Sequence, residues 1–186
     1  MPQGDAVSSA VLSIGSNIGD RLAHLQSVCD GLGDRVVAAS RVYATEPWGG
    51  VEQQDFLNAT LLVEDDARTP RDWLDVGQHL ENEARRVRDQ RWGPRTLDVD
   101  VISVSDHGAV VESADPVLTL PHPRAAERAF VLIPWLDADP GAVLRHRGSD
   151  VPVADLLAAL TPADRDGVRL TEHTLTTAGT DAGKQT

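Results

Sequence analysis

The chain has 186 residues, 41% of them hydrophobic and 25% charged, which is typical of a single globular domain. Its formal net charge of -12 argues against general binding to nucleic acids or membranes, because both present polyanionic surfaces. Its one cysteine, Cys29, cannot form an internal disulfide, and the N-terminus lacks the basic and apolar regions of a signal peptide. We therefore expect a cytoplasmic protein.

Hydrophobic periodicity and turn residues predict a regular order of elements in the first hundred residues. In chain order these are a strand over 6–15, a helix over 20–32, a strand over 36–45, a turn-rich loop over 46–55, a strand over 56–63, a helix over 71–85 and a strand over 96–104. The order strand–helix–strand–strand–helix–strand predicts an α+β fold, a ferredoxin-like sandwich with a mainly antiparallel sheet and helices packed on both faces.

The second half of the chain is less regular. It predicts a short strand at 110–111, a short helix beginning at Pro123, an amphipathic helix over 151–160 and a strand near 168–175. We expect one domain over 1–160 and a C-terminal extension over 161–186, which is disordered from about residue 176.

The segment 85–100 reads R-R-V-R-D-Q-R-W-G-P-R-T-L-D-V-D and holds five arginines in an otherwise acidic chain. Arginine presents a rigid set of donors that suits phosphate oxygens. Because residues two apart in a strand point to the same face, Asp98 and Asp100 would hold two carboxylates side by side. Such a pair suits Mg²⁺, which usually takes one or two carboxylates and completes its shell with water and substrate phosphate.

These residues could also have a purely structural role, since an arginine-rich run is most often a salt-bridged surface and D-x-D occurs by chance in acidic proteins. Phe56 and Phe130 could be core aromatics, His122 could be a turn residue between two prolines, and Glu81 could simply pair with Arg85 one helical turn on.

Four segments together resemble one family, the 6-hydroxymethyl-7,8-dihydropterin pyrophosphokinases of the folate pathway. They are L-S-I-G-S-N-I-G-D-R (12–21), T-E-P-W-G-G-V-E-Q-Q-D-F-L-N-A (45–59), R-V-R-D-Q-R-W-G-P-R-T-L-D-V-D (86–100) and L-P-H-P-R-A-A-E-R-A-F-V-L-I-P (120–134). The part R-W-G-P-R-T-L-D-V-D is very specific, and the resemblance covers roughly residues 7–140.

The resemblance implies transfer of a diphosphoryl group from ATP to the pterin hydroxymethyl group, with release of AMP and the help of two Mg²⁺ ions. It implies catalytic roles for Arg86, Arg95, Asp98 and Asp100, the two aspartates also holding the metal. It implies an ATP site formed by Gln78, Glu81, Arg88, Trp92, Arg95, Thr119, His122 and Arg128. It implies a pterin site formed by Thr45, Pro47, Trp48, Phe56, Asn58 and Phe130.

Three positions depart from the family's usual pattern. Where this chain has Trp48, the family often has a smaller aliphatic residue; where it has Arg85, commonly a glycine; and where it has Gln54, usually a proline. We expect a monomer whose partners are the two small substrates, without nucleic acid or membrane. Two alternatives remain, a ferredoxin-like RNA-binding module and another metal-dependent nucleotide phosphotransferase. The first would need two aromatic stacking motifs on adjacent central strands, which the sequence lacks; pterin analogues as competitors would distinguish the second.

Overall fold

The computed structural model of the chain describes residues 8–46, 54–85 and 96–178, and these contain eleven strands and five α-helices. The strands are β1 (Ser9–Ser16), β2 (Val36–Ala39), β3 (Tyr43–Thr45), β4 (Phe56–Glu64), β5 (Asp98–Asp106), β6 (Ala109–Val110), β7 (Ser113–Asp115), β8 (Leu118–Leu120), β9 (Val143–His146), β10 (Ser149–Pro152) and β11 (Val168–Leu170). The helices are α1 (Arg21–Leu32), α2 (Pro70–Arg85), α3 (Ala129–Ala138), α4 (Val153–Ala159) and α5 (Pro162–Asp166).

Seven strands form the main sheet in the order β11-β3-β4-β1-β5-β6, and β2 also pairs with β4. Each of these pairs is antiparallel. The long central strand β1 therefore lies between β4 and β5, and the two helices α1 and α2 connect the strands around it. This arrangement confirms the predicted α+β fold with an antiparallel sheet.

Alternation along the strands sends apolar side chains to both faces of the sheet, so the protein has two hydrophobic cores. One core joins β1, β4 and β5 to α1 and α2 and includes Leu12, Ile14, Leu25, Leu61, Trp73 and Val99. The other joins the opposite face to α3 and α4 and includes Ile102, Val131, Leu132, Trp135, Leu144 and Val153. Cys29 belongs to the first core, where burial raises the pKa of its thiol to about 11. Helices thus cover both faces, as predicted.

Helix α2 packs closely against β5 because a glycine faces the strand. A methyl group at Gly77 would lie only 3.1 Å from Val99 Cγ1, so a larger residue would push the helix away. At the start of the same helix Trp73 is fully buried, and its indole N–H donates to Ser8 Oγ over 3.2 Å. These contacts fix α2 relative to the start of β1 and to β5, the strand that carries the D-V-D sequence.

The predicted strand over 36–45 is wrong as one element, because it divides into β2 and β3. Between them the backbone N–H of Arg41 donates to Asp137 Oδ2 over 2.8 Å, and the N–H of Val42 donates to the carbonyl of His173 over 3.3 Å. Both donors therefore bind outside β4. The chain consequently leaves the ladder after Ser40, whose N–H still donates to the carbonyl of Thr60 on β4 over 2.9 Å, and rejoins it at Tyr43.

Three predicted elements of the second half are also misplaced. The helix expected at Pro123 is a short 3-10 turn over Ala125–Glu127, and α3 begins only at Ala129. The helix expected over 151–160 begins at Val153, whose N–H donates to the carbonyl of Ala142 over 2.9 Å and marks the end of β10. The strand expected near 168–175 is regular only over Val168–Leu170.

No helix within the described ranges is long and apolar enough to cross a bilayer. The division into a domain over 1–160 and an extension over 161–186 stays a prediction. The described part of the extension nevertheless contributes β11 to the main sheet.

Candidate functional site

The two aspartates of the D-V-D sequence lie on the same face of β5. Their intervening neighbour Val99 is 5% exposed, and Leu97 and Val101 are 0% and 6% exposed, so these three side chains enter the core. Asp98 and Asp100 are only partly buried and point the other way. The alternation predicted from sequence is therefore confirmed, and the two carboxylates meet solvent at the start of the strand.

Direct cross-strand partners share a face of the sheet, and this places several polar side chains beside the acid pair. Across β1, Gly15 is the partner of both Asn58 on β4 and Asp98 on β5. A methyl group at Gly15 would lie 3.1 Å from Asn58 Oδ1. Because Gly15 has no side chain, no atom of residue 15 projects from the sheet between Asn58 and Asp98.

A second group of side chains lies further along the same face. Thr45 on β3 is the partner of Phe56 on β4, and Thr45 Oγ1 accepts a hydrogen bond from Asn58 Nδ2 over 2.9 Å. Asn58 is 5% exposed, whereas Phe56 is only partly buried. An amide held by a threonine next to a half-exposed aromatic ring can bind a flat, polar heterocycle.

Arg128 connects the acid pair to α3. Its Nη1 lies 3.6 Å from Asp100 Oδ2, and its guanidinium carbon lies 5.6 Å from the ring centroid of Phe130. The arginine side chain is 22% exposed, so it reaches the acid from a partly buried position. The structure thus brings three sequence-predicted site residues, Asp100, Arg128 and Phe130, into one cluster.

His122 lies beside this cluster in the turn that follows β8. Burial lowers the pKa of its imidazole and the Arg128 guanidinium lowers it further, while the Asp100 carboxylate acts in the opposite direction. Its Nδ1 accepts the backbone N–H of Arg124 over 3.2 Å, and the backbone N–H of His122 donates to the carbonyl of Ile102 over 2.8 Å. The neutral ring is therefore held with Nδ1 as an acceptor.

Glu81 has a role that the sequence did not reveal. Its predicted pairing with Arg85 is loose, at 3.9 Å. Its Oε1 instead accepts the backbone N–H of Val99, the residue between the two aspartates, over 2.8 Å. A carboxylate thus substitutes for a strand partner at this position.

Ser16 supports the same strand from the other side, also without a sequence signal. Its hydroxyl donates to the carbonyl of Thr96 over 2.5 Å, two residues before Asp98. Both groups are buried, at 0% and 6% exposure. A serine at the end of β1 looks like any turn residue, and the partner is 80 residues away in sequence.

Two predicted residues lie elsewhere. Gln78 is exposed on α2, the helix that packs on the sheet face opposite the acid pair. Thr119 is exposed on β8, and its hydroxyl donates to the carbonyl of Asp115 over 3.0 Å. The remaining predicted residues lie outside the described ranges, and their roles stay predictions: Pro47, Trp48, Arg86, Arg88, Trp92 and Arg95.

The donor set of the acid pair fits a magnesium ion bound together with a substrate. In the described segments no group of three or more His, Cys, Asp or Glu side chains is arranged to hold a metal by itself. Two neighbouring carboxylates that face solvent are nevertheless sufficient for Mg²⁺, since substrate phosphate and water supply its other ligands.

Paired carboxylates beside a guanidinium are typical of enzymes that transfer phosphate groups. A family profile described as 7,8-dihydro-6-hydroxymethylpterin-pyrophosphokinase (HPPK) matches residues 11–140, well over half of the chain. The chain belongs to this family.

Relatives called 2-amino-4-hydroxy-6-hydroxymethyldihydropteridine pyrophosphokinase are similar over nearly the whole sequence. That of Mycobacterium bovis is 55% identical over 169 residues, which cover 88% of this chain and 90% of the relative. That of Mycobacterium leprae is 55% identical over 175 residues, which cover 91% and 92%.

Solved structures support the fold. The chain matches a Plasmodium falciparum HPPK-DHPS crystal structure, the A437G form with SDX-DHP, with a TM-score of 0.61 at 14% identity. The match covers 84% of this chain and 46% of the other, so this chain spans less than half of that longer protein. At this identity the similarity speaks for the architecture of the sheet and helices alone.

Proposed function

We propose that the sheet face with Asp98 and Asp100 carries the family's activity in folate biosynthesis. The reaction transfers a pyrophosphoryl group from ATP, the co-substrate, to the hydroxymethyl group of 6-hydroxymethyl-7,8-dihydropterin and gives the pterin diphosphate and AMP. The carrying observation is that both carboxylates share one face with Arg128, 3.6 Å from Asp100. Membership of the family supports the choice of substrates.

Asp98 and Asp100 are the residues that would hold magnesium, and we assign two Mg²⁺ ions to the working site. Bound there with ATP, the ions would neutralise phosphate charge and orient the reacting groups for in-line displacement. Without a cation, two adjacent carboxylates repel each other, and Arg128 offsets part of that repulsion at Asp100.

Arg128 lies where its guanidinium could leave the Asp100 carboxylate and bind the triphosphate of ATP instead. Its guanidinium lies against Asp100 and over the ring of Phe130. A triphosphate beside the acid pair would compete for the same donors, since guanidinium binds phosphate oxygens at least as well as a single carboxylate. By resemblance we propose that the remaining ATP contacts come from His122, which lies beside the Asp100 cluster, and from three residues outside that cluster, Glu81, Gln78 and Thr119.

The arginine segment completes this proposal. By resemblance Arg86 and Arg95 stabilise the transferring group, while Arg88 and Trp92 contact the nucleotide. Guanidinium groups around a phosphoryl group in transit lower the free energy of its transition state by electrostatic stabilisation.

The pterin occupies the other part of the face in this proposal. Its flat ring stacks on Phe56 and Phe130, with contributions from Pro47 and Trp48, and its polar edge binds Asn58 and Thr45. The hydrogen bond from Asn58 Nδ2 to Thr45 Oγ1 fixes the amide, so Oδ1 is held toward Gly15 and the acid pair. A preorganised amide recognises a heterocycle at a smaller entropic cost than a mobile one.

The displacement follows from this placement. The pterin hydroxyl oxygen bonds to the β-phosphorus of ATP and its proton passes to water. The bond from that phosphorus to the oxygen shared with the α-phosphate breaks, and AMP leaves with that oxygen. Because the oxygen that attacks and the oxygen that leaves lie in line, the protein contributes chiefly position and charge.

The test is the nucleotide product. Purified protein mixed with ATP, Mg²⁺ and the hydroxymethyl dihydropterin should release AMP in a one-to-one ratio with pterin diphosphate. Release of ADP would indicate transfer of a single phosphoryl group, and absence of turnover by folded protein would contradict the proposal.

We also propose that the protein acts as a cytoplasmic monomer without a nucleic acid partner, in keeping with its net charge of -12. Light scattering after size-exclusion chromatography should give the mass of one 20.0 kDa chain. A dimer mass at micromolar concentration would contradict the monomer.

A further inference from the structure

The described end of the chain forms a C-terminal strap, residues 168–176, along the outer edge of β3. Strand β11 pairs antiparallel with β3, with Val168 opposite Thr45 and Leu170 opposite Tyr43. The pairing continues beyond the strand, because Thr171 N–H donates to the carbonyl of Val42 over 3.0 Å. The strap therefore provides the outer hydrogen-bonding partner of β3, the strand that carries Thr45.

The far end of the strap is attached to α1. Gln26 Nε2 donates to the carbonyl of Thr176 over 2.8 Å, and Gln26 Oε1 accepts the N–H of Thr176 over 2.9 Å. Leu175 packs against the core formed by α1 and α2. Contacts at both ends hold the strap in place.

Asp55 is the point at which the strap meets the proposed pterin site. Arg169 Nη2 lies 2.7 Å from Asp55 Oδ2, and Arg21 Nη1 donates to the carbonyl of Asp55 over 2.6 Å. The two arginines come from β11 and α1, 114 and 34 residues away in sequence. Asp55 immediately precedes Phe56, so both contacts restrain the backbone from which the Phe56 ring projects.

The strap lies outside the part of the chain matched by the family profile, which ends at residue 140. Its contacts converge on Thr45 through β3 and on Phe56 through Asp55, the same two residues that are opposite each other in the sheet. We propose that Arg169 is a positioning residue for the pterin pocket and acts through Asp55. This inference rests on the proposed function, since it assumes that Phe56 and Thr45 bind the pterin.

The experiment compares Arg169→Ala, Arg169→Lys and Asp55→Ala with the full-length wild type. The pair is largely exposed, with 56% of the Arg169 side chain accessible. We therefore expect Arg169→Ala to raise the Kd and KM for the pterin by roughly two- to fivefold. The Kd for ATP and the kcat should stay unchanged, and Arg169→Lys should restore most of the pterin affinity because it keeps the charge.

A double-substitution cycle tests whether Arg169 acts through Asp55. The double variant Arg169→Ala/Asp55→Ala should bind the pterin no more weakly than either single variant. Arg145→Ala is the matched control, since Arg145 forms an ion pair of similar length with Asp150, 2.6 Å, on the β9–β10 hairpin. It should leave both substrate affinities at the wild-type values.

A readout without ligand separates this inference from the proposed function. In the ligand-free protein, hydrogen exchange of the backbone amides of 54–58 should be faster in Arg169→Ala than in Arg145→Ala. If the wild type fails to release AMP while this difference is found, the function is wrong and the positioning contact stands. Unchanged exchange, an equal loss of ATP and pterin affinity, or additive effects in the double variant would overturn the role of Arg169.

Discussion

The hydrogen bond between Glu81 and the Val99 backbone makes a quantitative prediction. In the described residues, β5 has a strand partner on its outer side only at Ser105 and Asp106, where it meets β6. At Val99 the carboxylate of Glu81 accepts the N–H in place of a strand, over 2.8 Å. Because Val99 is 5% exposed, removal of the acceptor would leave a buried donor without this partner.

The expected effect of Glu81→Ala follows from the type of bond. A hydrogen bond to a charged acceptor contributes about 1.5–3 kcal/mol to the free energy of unfolding. The loose contact between Glu81 and Arg85, which is 52% exposed, adds a few tenths of a kcal/mol at most. We therefore expect a loss of about 2 kcal/mol. Glu81→Gln should recover about half of it, since the amide oxygen can still accept.

Urea unfolding of the variants checks this value. With a slope of about 2 kcal/mol/M, the midpoint of Glu81→Ala should fall by about 1 M. Asp75→Ala is the control on the same helix, because it removes only an exposed pair with Arg71, 3.2 Å long and more than half accessible on both sides. Equal losses of unfolding free energy in Glu81→Ala and Asp75→Ala, to within about 0.5 kcal/mol, would match the size expected for a surface pair. Such a result would show that the hydrogen bond from Val99 to Glu81 does not stabilise the fold.

Three further predictions concern the site and the pH dependence of stability. Asp98→Asn or Asp100→Asn should lower AMP release by about a hundredfold or more while thermal unfolding stays near the wild type, and turnover retained in both variants would remove the metal assignment. Phe56→Ala should raise the pterin Kd by about two- to tenfold, equivalent to an aromatic contact of about 0.5–1.5 kcal/mol, as measured by calorimetry, and an unchanged Kd would exclude stacking there. The Arg35 guanidinium holds the pKa of Asp65 below its ordinary value, so at this carboxyl the folded state binds fewer protons than the unfolded state. The ionised Asp65 therefore stabilises the fold, and this stabilisation is lost as the pH falls through the lowered pKa. The stability difference between wild type and Asp65→Asn in denaturant titrations should therefore be largest near neutral pH and shrink in acid; a difference independent of pH would contradict it.

Strand alternation was the part of the architecture most readable from sequence. Period-two patterns correctly assigned the faces of β5 as far as Val101, because burial of Leu97, Val99 and Val101 is a local property of a strand with one apolar side. Beyond Val101 the register with β1 shifts, and Val104 faces the same core as Val101. The same reasoning failed at Arg41 and Val42. There the chain leaves β4 because Asp137 on α3 accepts a backbone N–H, a contact across 96 residues of sequence.

Helix α3 shows a second limit of the sequence patterns. It is apolar on nearly all sides, with Val131, Leu132 and Trp135 buried, so the 3.6-residue periodicity is weak. Pro134 inside the helix is also a poor helix residue. Packing of α3 against β4 and α4 determines its position, and no local pattern reports that packing.

The candidate site likewise contains residues that the sequence indicates and residues that only the fold reveals. Asp98, Asp100 and Asn58 could be proposed as site residues because specific motifs contain them. Their supports, Glu81 on Val99 and Arg169 on Asp55, join residues 18 and 114 positions apart. Such pairs depend on the tertiary fold, so a single sequence leaves them unassigned.

The position of Gly15 between two strands bears on the size of the molecule that would accept the pyrophosphoryl group. Asn58 and Asp98 are both its direct neighbours, one on each adjoining strand. Two strand spacings separate them, about 10 Å from backbone to backbone. In the proposed site, a bicyclic ring held at the Asn58 amide, with one carbon between ring and hydroxyl, would extend across that interval, whereas an alcohol on a longer arm would overshoot the carboxylates. The spacing of β4, β1 and β5, rather than any single contact, would thus favour substrates with a particular distance between the ring and the reactive oxygen.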